Sequence, residues 1–91
     1  MKKFYILTPT YNDWESLNKL IIKIDKNVEN IEGVFKILII NDGSDLNSFL
    51  NFKRLKKIKE INIINLKKNQ GSQKAINIGL RYLKKNNHKS I

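Results

Sequence analysis

The chain has 91 residues, enough for one small domain with a modest core and no more. Its 18 basic and 8 acidic residues give a net charge of +10, but only Arg54 and Arg81 are arginines. A surface built to grip nucleic acid leans on the planar arginine fork, so this Lys-rich balance reads as a generally basic, solvated exterior. With no cysteine, disulfides, Cys-ligated zinc and thiol chemistry are excluded.

Phe4-Tyr5-Ile6-Leu7 is a short β-prone run closed by Thr8-Pro9 and reads as a first strand. Asn12 takes the place of a helix N-cap, with Glu15 three residues on, as in a capping box. Trp14, Leu17, Leu20, Ile21, Ile24 and Val28 then recur at helical spacing, and Gly33 stands in the break that follows. Phe35 to Ile40 is almost continuously apolar, the pattern of a parallel strand covered on both faces. A polar turn, Asn41-Asp42-Gly43-Ser44-Asp45, ends it.

Residues 46–58 read as a weaker second helix with Phe49, Phe52, Leu55 and Ile58 inward. Ile61 to Leu66 reads as a third strand, and Lys67 to Gly71 as a loop. Ser72 then caps a third helix, with Ala75, Ile78, Gly79, Tyr82 and Leu83 on its inner side and Asn86-Asn87 at its end. Ser90-Ile91 would open a fourth strand. The order β-α-β-α-β-α-(β), with no internal boundary, predicts one α/β unit on a parallel sheet with right-handed crossovers. After Lys2-Lys3 the apolar stretch is too short for a signal peptide, and no run approaches membrane-span length, so a cytoplasmic protein is expected.

The polar residues gather at one kind of place. Thr10 to Asp13, Asn41 to Asp45, and Asn69 to Ser72 each follow a strand, where open α/β sheets bind ligands. Asp42 offers a fixed acceptor for a ring N–H, and Tyr11 a flat face for a base. Gly43 and Gly71 allow close backbone approach. Ser72 with its helix N-terminus, and Lys74, suit an anion. Together they suit a nucleotide. The Gly-x-Gly-x-x-Gly and P-loop fingerprints are missing, and the Asn41–Asp45 turn lacks calcium-loop spacing. His88, the sole histidine, has no partner motif.

Ile6 to Asp13, Ile39 to Asp45, and Asn69-Gln70-Gly71 with Ala75, Asn77 and Gly79 resemble, in order and spacing, the opening of family-2 glycosyltransferases. The resemblance implies a three-layer, Rossmann-like fold of the GT-A type, with residues 1–91 as the truncated N-terminal portion. It implies transfer of a sugar from a UDP- or GDP-linked nucleotide diphospho-sugar to an acceptor it leaves unspecified. Thr10, Tyr11 and Asn12 match the loop lining the nucleoside, and Asp42 the acid that contacts the base. Asn69, Gly71 and Lys74 match the stretch approaching the base and diphosphate. Asn77 and Gly79 stand as helix-packing residues, and Gly71 to Ile76 is similar to the branch that uses polyprenyl phosphates.

The family's Asp-x-Asp motif, which holds Mg²⁺ or Mn²⁺, would fall beyond Ile91, as would the acceptor half. The 91-residue chain is therefore expected to bind donor without catalysing transfer, with no metal ligand or catalytic residue of its own. The full enzyme would be cytoplasmic or peripheral to a membrane's inner face, with no nucleic-acid partner. A strand beside the first one would also be lost, leaving an open edge prone to self-association. Two other readings compete. One is a non-catalytic basic module for nucleotide, RNA or anionic membrane, resting on Lys53, Arg54, Lys56, Lys57 and Lys59. The other, a sugar nucleotidyltransferase, is disfavoured because no Gly-rich loop follows the first strand.

Overall fold

A computed structural model describes residues 2–43 and 55–85. In chain order these form β1 (Lys3–Thr10), α1 (Trp14–Asn27), β2 (Val34–Asn41), β3 (Ile58–Asn65) and α2 (Ser72–Lys85). The strands make one parallel sheet in the order β1-β2-β3. Ser44, Asp45 and most of the expected second helix, with Phe49, Phe52, Lys53 and Arg54, lie outside the described residues. So do Asn86, Asn87, His88 and the strand opened by Ser90-Ile91.

Between Phe35 and Ile40 β2 is apolar except for Lys36, because helices cover it from both sides. Phe35, Ile37 and Ile39 point to α1 and pack with Leu17 and Ile21. Leu38 and Ile40 point the other way and pack with Ala75 and Leu83 of α2. The result is the three-layer α/β arrangement. Phe4 and Phe35, matched in register, stack with centroids 5.0 Å apart. Gly79 lies against Leu7 and Ile40, where a side chain would crowd both, so α2 approaches the sheet closely. Asn77 is exposed and takes no part in that packing.

Four local expectations change. β1 runs through Pro9 to Thr10 instead of ending at Leu7. The Thr10 carbonyl accepts the Asp42 N–H at 2.8 Å, so Thr10 turns its backbone groups to β2. Pro9, one residue earlier, turns its own away, and its missing N–H costs that ladder nothing. The cap of α1 is Asp13, whose Oδ1 accepts the Ser16 N–H at 3.2 Å. Asn12 instead sits in the left-handed region at φ 51°, and Glu15 pairs with Lys19. Ile58 opens β3 rather than closing a helix. Finally, the Gly71 carbonyl accepts the Ala75 N–H at 3.0 Å, which puts Gly71 at the cap and Ser72 inside the helix.

An unforeseen carboxylate anchors the start of β3. Asp25 lies on the apolar stripe of α1 and is 7 % exposed. It accepts backbone N–H bonds from Lys56 (2.9 Å), Lys57 (2.7 Å) and Ile58 (2.8 Å). Burial raises its pKa, but those N–H donors and the Lys56 charge outweigh burial and hold it below the ordinary 3.8. Its signal in the sequence was a charge inside an apolar helix face. No described helix is long and apolar enough to cross a membrane.

Candidate functional site

The carboxyl ends of the three strands bring the predicted residues to one edge, and Asp42 is where they meet. It follows β2 and is 3 % exposed. Its N–H reaches back to the Thr10 carbonyl of β1. Its carboxylate reaches forward to the β3–α2 loop: Oδ1 accepts the Gln70 N–H at 2.7 Å, and Oδ2 accepts the Gly71 N–H at 3.0 Å. The Asn69 side-chain amide donates to Oδ2 at 3.1 Å and to the Asp42 carbonyl at 3.2 Å. Gln70, which residue type alone did not single out, therefore contributes through its backbone.

Beneath this junction the strand ends are tied by matched asparagines. Asn41 and Asn65 are register partners, and the Asn41 amide donates to the Asn65 side-chain oxygen at 2.9 Å. Asn41 is 1 % exposed, so its polar side chain requires such partners. Two asparagines closing adjacent parallel strands were the available sequence signal.

Gly43 does make a close approach, but to the protein's own chain rather than to open space for a ligand. At φ +86°, a Cβ there would lie 2.6 Å from the Asn69 nitrogen and 2.8 Å from the Lys68 carbonyl carbon. At Gly71, with φ +90°, an added Cβ would meet nothing within 4 Å, so only its backbone conformation calls for glycine.

Thr10 is buried under the β1–α1 turn, whereas Tyr11 is 52 % exposed and Asn12 is exposed beside it. A cleft of about 210 Å³ opens there, lined in part by Thr10, Tyr11, Asp13 and Leu20. It is smaller than the roughly 300 Å³ at which small-molecule pockets begin, so it suits part of a ligand. Lys74 is exposed in the first turn of α2 and makes no part of the Asp42 junction. A cleft of about 520 Å³ touching Lys2, Phe4, Ile31 and Glu32 lies at the opposite end of the sheet and contains none of the candidate residues.

The family model for glycosyl transferase family 2 matches residues 5–86, spanning all three polar loops and the sheet that carries them. The chain belongs to glycosyltransferase family 2. No solved structure matches it. Family-2 glycosyltransferases generally use a divalent metal. Among the described residues no three His, Cys, Asp or Glu side chains gather to hold one, and the Asp42 carboxylate is engaged by N–H donors. The described residues therefore do not furnish that metal centre.

Proposed function

We propose that this family-2 chain binds the nucleotide part of a UDP- or GDP-linked sugar donor at the carboxyl edge of its sheet, for transfer of the sugar to an acceptor. The observation that carries the reading is the Asp42 junction, which draws the Thr10 strand end and the Asn69–Gly71 loop together at the edge where such sheets bind ligands. Tyr11 presents its ring to a base from the exposed turn, with Thr10 and Asn12 shaping the place beside it. Asn69 and Gly71 form the facing wall, and Lys74 supplies a positive charge for the diphosphate.

The test is calorimetric titration of UDP and GDP into the chain and into its Tyr11→Ala variant. Loss of base stacking costs about 1–3 kcal/mol, or roughly a 5- to 150-fold weaker affinity. The thermal melt should move only modestly, because the residue is about half exposed. Equal affinity in the two proteins, or no binding of either nucleotide at millimolar concentration by a folded sample, contradicts the reading.

A further inference from the structure

β3 ends the sheet order β1-β2-β3, and among the described residues no strand lies beyond it. One bond fixes which way its backbone faces. The Leu66 N–H donates to the Asn41 carbonyl of β2 at 2.9 Å, so Leu66 turns its backbone groups to β2. Backbone direction alternates along a strand, so Ile64 and Asn62 do the same, while Ile61, Ile63 and Asn65 turn their N–H and C=O groups away from β2. Those groups form a row that a further strand would match. Natural sheets usually defend such a row with charge, proline or a bulge. Here the register irregularity lies back at Phe35 and Lys36, and Ile61 to Asn65 contains neither a charge nor a proline. Ile63 is 40 % exposed on this stretch, and Ile61 and Ile64 are half-buried.

Charge gathers at both ends of the bare stretch. Lys56, Lys57 and Lys59 precede it, and Lys67 and Lys68 follow it. Glu60, the one acid among residues 56–68, is already engaged by the Asn62 side-chain amide at 2.8 Å and by Lys36 at 3.9 Å. The edge is therefore apolar in its middle and positive at both ends. A second copy laid antiparallel on it would bring the lysines before β3 of one chain against those after β3 of the other, and like charges oppose that pairing. A strand with acidic ends is attracted instead.

We propose that the open edge of β3 adds a strand from a protein partner, an extended segment that is apolar at alternate positions and acidic at both ends. Backbone bonds to Ile61, Ile63 and Asn65 hold it, and its apolar side chains lie beside Ile61 and Ile63 on the α1 face of the sheet. Its acidic ends meet the two lysine groups. This surface is not the carboxyl edge assigned to the nucleotide, so it does not depend on the donor-binding reading.

The probe is a fluorescent synthetic peptide that alternates valine and threonine between acidic ends, added to the full 91-residue chain. Anisotropy should show saturable binding that weakens as salt is raised. The same peptide with lysine ends should bind roughly tenfold more weakly. So should an acidic-ended peptide N-methylated at the groups facing β3, which removes donors without touching the protein. In the complex, hydrogen exchange should slow at the Ile61, Ile63 and Asn65 amides and change little at Asn62 and Ile64, which β2 already holds. No binding at millimolar peptide, equal binding of the three peptides, or protection centred elsewhere overturns the proposal. Protection of the same amides that grows with protein concentration alone overturns it in favour of a second copy. Ile63→Pro removes an outward N–H that β2 does not use, and should weaken the acidic-ended peptide as N-methylation does. Full affinity in a folded Ile63→Pro overturns the proposal, and if that variant fails to fold the N-methylated peptide makes the same test.

Discussion

Replacing Asp25 with asparagine isolates the contact that joins α1 to the start of β3. In the native chain Oδ1 accepts from Lys57 and Ile58, and Oδ2 accepts from Lys56. Asparagine keeps one oxygen for the first pair but turns an NH₂ toward the Lys56 N–H. One charge-assisted bond is lost and the remaining two become neutral. Hydrogen bonds to charged groups contribute about 1.5–3 kcal/mol and neutral ones about 1 kcal/mol. Lys56 is exposed, so solvent partly replaces its lost partner and the lower part of the range applies, giving about 2 kcal/mol.

A domain this small loses about 1 kcal/mol per molar urea, so the unfolding midpoint should fall by about 2 M. Trp14, the only tryptophan, packs against the same core and reports the transition by fluorescence. The pH dependence supplies a second check. The folded pKa of Asp25 is depressed, so its contribution is fully present above the unfolded value near 3.8 and disappears as pH falls through the lower folded value. The gap between native and Asp25→Asn proteins should therefore close on acidification below 3.8. Coincident midpoints at neutral pH, or a gap that persists undiminished in acid, would refute the reasoning.

Other substitutions separate backbone conformation, packing and capping. Gly43→Ala combines a left-handed backbone with a collision, whereas Gly71→Ala meets nothing, so Gly71→Ala should cost only the conformational term of about 1–2 kcal/mol and Gly43→Ala clearly more in a urea melt. Gly79→Ala gains helix propensity but crowds Leu7 and Ile40, and overpacking of about 1–3 kcal/mol should prevail, as a lowered melting temperature will show. Asp13→Ala should destabilise by about 1 kcal/mol in chemical denaturation.

What could be read from the residues alone follows a physical pattern. β2 was legible because burial on both faces leaves an apolar run broken only by Lys36. The α1 and α2 stripes were legible because each helix buries one side, although Leu20 and Tyr82 prove exposed at 43 % and 41 %. Pro9 misled because a proline breaks a strand only when its missing N–H faces the neighbour. The choice between Asn12 and Asp13 as cap depended on backbone angles, since both side chains can perform that task. Ile58 continued the helical spacing of Leu55, yet its N–H is claimed by Asp25, a tertiary contact invisible to local periodicity.

At the candidate site, position was legible and contact was not. Polar clusters after three strands indicated that these residues would gather at one edge of the sheet, as they do. That Asp42 spends its carboxylate on Gln70, Gly71 and Asn69 depends on a loop 27 to 29 residues away in sequence. Gly43 likewise signalled a close approach, but not that the approaching backbone was the protein's own.

The central claim is that the carboxyl edge of this sheet receives the nucleotide of a sugar donor. Amide chemical-shift mapping with UDP and GDP addresses it most directly. Binding at that edge predicts saturable shifts concentrated at Tyr11, Asn12, Gly71 and Lys74, with little change around Phe4 and Ile31 at the opposite end of the sheet. Shifts centred on that opposite end, or none at millimolar nucleotide in a well-folded sample, would contradict it.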